Sequence, residues 1–139
     1  MARARYLADT STFARLSKPP VFAAVAPLIA QGAVALCAPV MFELGFSARN
    51  RADFRSLMDR LDAFAFMPVT DGDHRRALEV QSLLVERGQH RPLSFVDGLV
   101  AAVAETRQLA VLHYDADFEL VATLTGQAHQ WVVPPGTAD

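Results

Sequence analysis

The sequence contains a single lysine, Lys18, among 13 basic residues, and a single cysteine, Cys37. One cysteine excludes an intrachain disulfide and a multi-cysteine zinc site, and it predicts a reducing, cytoplasmic compartment. The near absence of lysine argues against phosphoaspartate receiver domains and haloacid dehalogenase-like phosphatases, which depend on a lysine late in the chain. Any cationic site must be built from arginine, and Cys37, within AVALCAPV, is predicted to be a small core residue.

One uncharged stretch, residues 21–42, reaches the length of a membrane span, roughly 20 residues. It is divided by Pro27, Gln31, Gly32 and Pro39 into a helix, a turn and a strand of ordinary core length. We therefore predict core elements here and no membrane association. No signal peptide is evident, because the apolar run starts too far into the chain and follows a polar segment.

The totals describe an ordinary soluble globule. The chain has 139 residues, a formal net charge of −2 and 52% hydrophobic residues, so its total charge does not predict nucleic-acid binding. The length predicts a single domain, residues 1–134, with roughly two-thirds of the unfolded surface buried around one core. Residues 135–139 are predicted to form a mobile tail.

Strand-like and helix-like segments alternate along the chain. Strands are predicted at residues 6–8, 33–37, 64–69, 110–113 and 130–133, and helices at 12–17, 21–30, 40–48, 51–62, 70–88, 94–108 and 115–123. The proline in the third strand indicates the sheet edge. The alternation predicts an α/β fold with a parallel sheet covered on both faces.

Five acidic residues lie near the ends of predicted strands or the starts of helices: Asp9, Glu43, Asp97, Asp115 and Asp117. In a parallel sheet the ligand site lies beyond the carboxyl ends of the strands, so all five could face one cleft. Each also has a structural interpretation, because most could cap a helix N-terminus and Asp97 fits a Ser-x-x-Asp capping box. Glu43 is harder to explain, since an acid within MFELGF is costly to bury unless it is paired or bound to a cation.

Carboxylates that converge without a lysine to neutralise them repel one another unless a divalent cation lies among them. Oxygen ligands without several cysteines or paired histidines favour Mg²⁺ or Mn²⁺ over zinc. One or two such ions can bind a phosphodiester and lower the pKa of an attacking water. The cluster therefore predicts phosphodiester hydrolysis.

Four segments occur in order across nearly the whole chain: LADTS, PVMFELG, SFVDGLVAAVA and LHYDADF. The series resembles PIN-domain nucleases, in particular the small VapC-type toxins of bacterial type II toxin–antitoxin pairs. This resemblance implies a three-layer α/β/α PIN-like fold with a central parallel sheet of four to five strands. It also implies an endoribonuclease that depends on Mg²⁺ or Mn²⁺, a VapB-type antitoxin as partner, a homodimer, and transfer or ribosomal RNA as substrate.

The resemblance also implies roles for individual residues. The catalytic and metal-binding acids of the family match Asp9, Glu43, Asp97 and Asp115. Asp117 fits a fifth, more variable metal ligand, and Thr10 or Ser11, with Ser11 favoured, matches a hydroxyl that assists the metal's surroundings. The pair His113-Tyr114 departs from the threonine or serine that many relatives carry before Asp115, so water positioning or substrate preference is expected to differ.

The histidines and arginines give weaker signals. His113 could reach the site from the end of its strand, whereas the other three histidines are predicted at the surface. The RNA-binding candidates are Arg49, Arg51, Arg55 and Arg91. They would form a rim that tracks phosphates and whose contacts weaken with salt; the alternative is a solvated helix face interleaved with aspartates.

Two further alternatives stay open. The apolar segment 21–30 suits an antitoxin groove or a dimer face, although core packing explains it almost as well. A catalytically inactive PIN-like module that binds RNA or protein would retain the same shape.

Overall fold

The computed structural model describes residues 3–139. The strands are β1 (Tyr6–Ala8), β2 (Val34–Leu36), β3 (Ala65–Phe66), β4 (Ala110–His113) and β5 (His129–Trp131). The helices are α1 (Thr10–Ala14), α2 (Pro19–Ala30), α3 (Ala38–Gly45), α4 (Arg51–Leu61), α5 (Asp71–Glu86), α6 (Phe95–Thr106) and α7 (Asp117–Thr125).

The strands form one parallel sheet in the order β3-β2-β1-β4-β5. Helices flank this sheet, so the predicted three-layer α/β/α fold is confirmed, and β3 lies at the sheet edge as expected. From β1 the chain proceeds outward to β2 and β3 on one side, and later to β4 and β5 on the other. The strand order therefore reverses between β1 and β4, which is where a doubly wound sheet holds its ligand.

The core is built from short apolar strands and the alanine-rich helix α6. Residues 98–104 of α6 are all buried, because small side chains let this helix pack closely on its neighbours. Cys37 is fully buried, and burial raises the pKa of its thiol to about 11, so it is a neutral core residue as predicted. No helix within residues 3–139 is both long and apolar enough to cross a membrane.

Several element boundaries differ from those predicted, and two helix starts are marked by hydrogen bonds to aspartate side chains. Helix α1 begins at Thr10 because the Asp9 carboxylate accepts a hydrogen bond from the Ser11 N–H. Helix α7 begins at Asp117, whose N–H donates to Asp115 Oδ1. Strand β3 is only two residues long, shorter than the predicted 64–69.

The segment 135–139, predicted to be mobile, lies against Tyr114. The Tyr114 hydroxyl accepts hydrogen bonds from the N–H groups of Gly136, at 2.8 Å, and Ala138, at 3.0 Å. It donates to Asp139 Oδ1 at 2.7 Å, and Ala138 is only 3% exposed. The segment is thus hydrogen-bonded to Tyr114 in this structure. Its mobility and the domain boundary at residue 134 stay predictions.

Asp73 links α5 to the end of α6 and is fully buried. Its carboxylate closes a capping box with the Thr70 N–H and accepts hydrogen bonds from Thr106 Oγ1, at 2.8 Å, and Arg107 Nη1, at 3.2 Å. Burial alone would raise the pKa of Asp73, but these hydrogen bonds together lower it below its ordinary value. The carboxylate therefore stabilises the fold at neutral pH, and this contribution is lost as the pH falls below 3.8 towards the lowered pKa.

We expect Asp73→Ala to lower the free energy of unfolding at pH 7 by about 2–4 kcal/mol, because it removes the hydrogen bonds to Thr70 and Thr106 and leaves the Arg107 charge without its counter-ion. Urea unfolding followed by circular dichroism measures the change. Asp71→Ala, at an exposed position in the same helical turn, should stay within about 0.5 kcal/mol of the wild type. Equal losses in the two variants would show that the Asp73 contacts contribute nothing specific.

Candidate active site

Three carboxylates meet beyond the carboxyl ends of β1 and β4. Asp9 directly follows β1, Asp115 follows β4 by two residues, and Asp97 lies in the first turn of α6. Each offers an oxygen within 4.8 Å of the oxygens of the other two. The structure thus brings together three of the five acids that the sequence places near one cleft.

Asp9 has one carboxylate oxygen engaged and one free. Its Oδ2 accepts hydrogen bonds from the Ser11 N–H at 3.0 Å and from Ser11 Oγ at 2.6 Å. Its Oδ1 is buried and has no hydrogen-bond partner among residues 3–139. A buried carboxylate oxygen without a partner is costly, so helix capping explains only half of this side chain.

Ser11 connects two parts of the site. Besides donating to Asp9, its Oγ accepts a hydrogen bond from the Tyr114 N–H at 2.9 Å, on the segment that leads to Asp115. The neighbouring Thr10 donates through Oγ1 to Glu43 Oε1 at 2.5 Å. The two hydroxyls therefore lie beside predicted site acids, while their roles toward a metal stay predictions.

Asp97 behaves differently from Asp73, although both occupy the last position of a Ser/Thr-x-x-Asp motif. Ser94 Oγ accepts a hydrogen bond from the Asp97 N–H at 3.1 Å. Within residues 3–139, however, the reciprocal bond from the Ser94 N–H to the Asp97 carboxylate is absent, whereas Asp73 makes its equivalent. Burial, followed by repulsion from Asp9 and Asp115, raises the pKa of Asp97 to about 7.

The segment before Asp115 is fixed by a buried histidine. His113 Nδ1 accepts a hydrogen bond from the Asp115 N–H at 3.1 Å, and His113 Nε2 lies 2.9 Å from His129 Nδ1. Burial, together with His129, lowers the pKa of His113 to about 4, so the ring is neutral at physiological pH. Because Nδ1 accepts, the proton is assigned to Nε2, which donates to His129. His113 therefore holds the Asp115 backbone in place.

The prediction that the other three histidines lie at the surface is only partly right. His129 and His90 are half-buried, whereas His74 is exposed and stacks on Phe95. The pairing of His129 with His113 carries no sequence signal, because the two residues lie on different strands and are brought together by the sheet register.

Glu43 and Asp117 are outside the group of mutually adjacent oxygens. Glu43 is exposed and its carboxylate accepts a hydrogen bond from Thr10, so it bears no burial cost that a cation would have to offset, and its roles in catalysis and metal binding stay predictions. Asp117 is half-buried, and burial, followed by repulsion from Asp115, raises its pKa. Both residues still flank the three carboxylates. Glu43 pairs with Thr10, which follows Asp9 in the chain, and the Asp117 N–H donates to Asp115 Oδ1.

The electrostatics of the cluster favour a bound cation. Burial, opposed by hydrogen bonds from Ser11 and reinforced by Asp115, raises the pKa of Asp9. Within residues 3–139 none of the ion pairs reaches Asp9, Asp97 or Asp115. Closely spaced oxygen ligands, one of them buried without a partner, fit a divalent ion such as Mg²⁺ or Mn²⁺.

The four arginines predicted to bind RNA are all exposed. Arg49 precedes α4 and pairs with Asp53 at 2.8 Å, while Arg51 and Arg55 lie on α4 and Arg91 lies between α5 and α6. In the described part of the chain none of them pairs with an acid of the site, and their role toward RNA stays a prediction.

Two residues beside the site were missed from the sequence: Arg15, at the end of α1, and Trp131, at the end of β5. The Arg15 guanidinium lies 4.6 Å from the centre of the Tyr114 ring. The only available signal for Arg15 was its position one helical turn after Ser11.

The chain is similar in sequence to a known family and to several of its characterised members. The PIN domain family profile matches residues 6–124. Ribonuclease VapC51 of Mycobacterium tuberculosis is 50% identical over 135 residues, which cover 97% of this chain and 98% of the relative. Ribonuclease VapC21 of the same species is 42% identical over 135 residues, covering 96% and 98%.

Among solved structures, DNA-bound VapBC from Salmonella typhimurium matches with a TM-score of 0.75 at 15% identity, over 94% of this chain and 100% of that chain. FitAcB from Neisseria gonorrhoeae matches with a TM-score of 0.70 at 22% identity, over 89% and 95%. These two likenesses establish the shared fold. With the family profile and the identities to the VapC proteins, they lead to one conclusion: the chain belongs to the PIN-domain family, within the group of the VapC ribonucleases.

Proposed function

We propose that this chain is a Mg²⁺-dependent endoribonuclease and the toxin component of a VapBC-type toxin–antitoxin pair. The observation that carries the proposal is the meeting of Asp9, Asp97 and Asp115 around an unpartnered buried oxygen, without a neutralising ion pair in residues 3–139. Identity of 50% to Ribonuclease VapC51 supports RNA as the substrate class. Mn²⁺ is expected to substitute, because it accepts the same oxygen ligands.

Asp9, Asp97 and Asp115 would hold the ion, which when bound supplies positive charge at the phosphate and acidifies a water. Ser11 fixes the Asp9 carboxylate, and His113 fixes the backbone of Asp115. We assign Glu43, oriented by Thr10, to the rim of the site, where its exposed carboxylate can contact water or substrate. Asp117 is proposed as an additional, weaker ligand beside Asp115.

We expect Arg49, Arg51, Arg55 and Arg91 to contact phosphates of the RNA. Loss of a phosphate contact should weaken binding about equally for all sequences and reduce its dependence on salt.

Protein partners are proposed from the exposed apolar surface. A groove of about 480 Å³ is lined by Ala38, Met41, Phe42, Gly45, Phe46, Phe54, Met58 and Phe66. Phe42 and Phe46 are 82% and 91% exposed, and exposed apolar patches of this kind mark interaction sites. A VapB-type antitoxin and a second copy of this chain, all in the cytoplasm, are the partners we expect. The segment 21–30 suits this role less well, because Val21 and Val25 are buried in the core.

The proposal is tested by sequencing RNA ends after induction, in a bacterial host without the antitoxin, of the wild type and of Asp97→Ala. The wild type should generate new ends at defined positions and arrest growth, and the variant should do neither while remaining folded by circular dichroism. Identical RNA ends in the two cultures would refute the nuclease.

The alternative function, an inactive module that binds RNA or protein, predicts a different metal response. Titration calorimetry with Mn²⁺ should then give no heat that depends on Asp9, and Asp9→Asn should change nothing. The nuclease predicts heat of binding in the wild type that this substitution removes.

A further inference from the structure

A separate cavity of about 410 Å³ adjoins the three carboxylates. This open cavity is lined by Ser11, Tyr114, Asp115 and Trp131, together with residues of the segment 135–139. Its volume falls within the range of small-molecule sites, roughly 300–1,000 Å³. Because Ser11 and Asp115 belong to both places, a group bound in this cavity lies directly beside the predicted metal site.

Trp131 gives the cavity a fixed aromatic wall. Its Nε1 donates to Glu119 Oε1 at 2.8 Å, and its ring centre lies 4.9 Å from that of His113 and 5.2 Å from that of Tyr114. The indole is only half-buried, so the part that these neighbours leave uncovered lines the cavity. A rigid, partly exposed aromatic ring is the platform on which proteins stack unpaired bases.

Arg15 gives the same cavity a cation. Its guanidinium is held over the Tyr114 ring, and its Nε donates to the Ala138 carbonyl at 3.1 Å. Among residues 3–139 no carboxylate forms an ion pair with Arg15, and its Nη atoms have no hydrogen-bond partner. The two acids in the lining, Asp115 and Asp139, do not pair with Arg15 in the described part of the chain, and Asp139 Oδ1 instead accepts from the Tyr114 hydroxyl. Arg15 is therefore available to fork onto a phosphate.

We propose that this cavity binds one unpaired nucleotide of the RNA next to the scissile phosphate, with the base against Trp131 and a phosphate at Arg15. The inference rests on the proposed ribonuclease function and adds a determinant of substrate choice. A stacked base is accepted only where the RNA is single-stranded, so the subsite directs cleavage to loops or unpaired ends.

The first test is cleavage of unpaired RNA substrates that differ in the bases flanking the cut, with Mg²⁺ present. Trp131→Ala should raise KM roughly tenfold, because one stacking contact is lost, and should weaken the base preference at one flanking position. Its kcat should change little, because the Trp131 indole donates its hydrogen bond to Glu119 and not to Asp9, Asp97 or Asp115. Trp131→Phe, which keeps an aromatic wall, should restore most of the affinity and the preference.

The second test needs no cleavage. Trp131 is the only tryptophan in the chain, so its fluorescence reports on this cavity alone. Titration with each of the four nucleoside 5′-monophosphates should give a saturable change that Arg15→Ala weakens. Arg75→Ala, which removes an exposed arginine on α5, should bind like the wild type.

The two proposals fail in distinguishable ways. A folded wild type that does not cleave RNA refutes the nuclease, whatever the fluorescence shows. A wild type that cleaves, with KM and base preference unchanged in Trp131→Ala and no saturable fluorescence change, refutes only the nucleotide subsite. Equal affinities of Arg15→Ala and Arg75→Ala would refute the assignment of the phosphate contact.

Discussion

Replacing Asp97 by asparagine is expected to abolish RNA cleavage and, in the absence of divalent cations, to make the protein more stable. The substitution removes a charged ligand of the predicted metal site, and loss of several kcal/mol of transition-state stabilisation lowers the rate by roughly a hundredfold to a thousandfold or more. It also removes a negative charge that Asp9 and Asp115 repel. Most destabilising substitutions lose activity and stability together, so the opposite signs identify a functional residue.

The sign of the stability effect follows from the pKa of Asp97. Its pKa in the folded protein is about 7, raised by burial and then by neighbouring acids from an ordinary value of 3.8. Because this pKa is raised, the folded state loses stability as the pH increases from about 4 to about 7, and the loss is complete above pH 7. After allowance for solvent screening of a partly exposed group, we expect a gain of about 1–2 kcal/mol for Asp97→Asn at pH 8.

Thermal unfolding in EDTA at pH 8 and at pH 5 measures this effect. The melting temperature of Asp97→Asn should exceed that of the wild type by about 3–10 °C at pH 8, and the difference should shrink at pH 5, where the wild-type carboxyl is protonated. Asp59→Asn, at an exposed position on α4, is the matched control and should show no such difference. A lower melting temperature for Asp97→Asn at pH 8 would contradict the assignment of repulsion at this site.

Chelation of divalent cations is expected to abolish cleavage in the wild type, and Mg²⁺ or Mn²⁺ should restore it. Because the ion would bind the folded state alone, a concentration about 100 times its dissociation constant should stabilise the protein by about 2.7 kcal/mol. Asp9→Asn should lose this stabilisation, since the unpartnered Oδ1 of Asp9 is the buried oxygen that the ion would satisfy.

The affinity for the metal should also depend on pH in a defined direction. The Asp97 carboxyl, with its pKa of about 7, must release its proton before it can bind a cation, so affinity should increase as the pH rises from 6 to 8. Calorimetry with Mg²⁺ at several pH values measures this. Cleavage that continues in EDTA, or a metal affinity independent of both pH and Asp9, would exclude the carboxylate site.

Much of the fold is readable from the sequence because strands and helices alternate clearly. Asp9 and Asp115 could be located because strand ends in a parallel sheet share one edge. Asp97 and Asp73 mark the limit: both end a Ser/Thr-x-x-Asp motif, yet only Asp73 closes a capping box. Asp73 also accepts hydrogen bonds from Thr106 and Arg107, which lie more than thirty residues further along the chain. The motif alone therefore could not show that Asp73 is a structural residue and Asp97 a site residue.

Glu43 shows a second limit. Apolar residues surround it in sequence, which suggested burial, but Phe42 and Phe46 on the same helix are themselves exposed. A helix with apolar residues on most of its faces does not reveal which face meets the core. The cavity beside Trp131 was equally hidden, because its walls come from α1, the β4–α7 connection, β5 and the segment 135–139.

The pairing of β1 with β4 has a consequence for how the protein is made. Tyr6 is in register with Ala110, so two neighbouring strands of the sheet emerge from the ribosome far apart in time. Contacts between such distant segments form slowly and late. A nascent chain therefore has no assembled carboxylate cluster until translation has passed β4, and a message cut short before the codon for Ala110 would yield a polypeptide without this cluster.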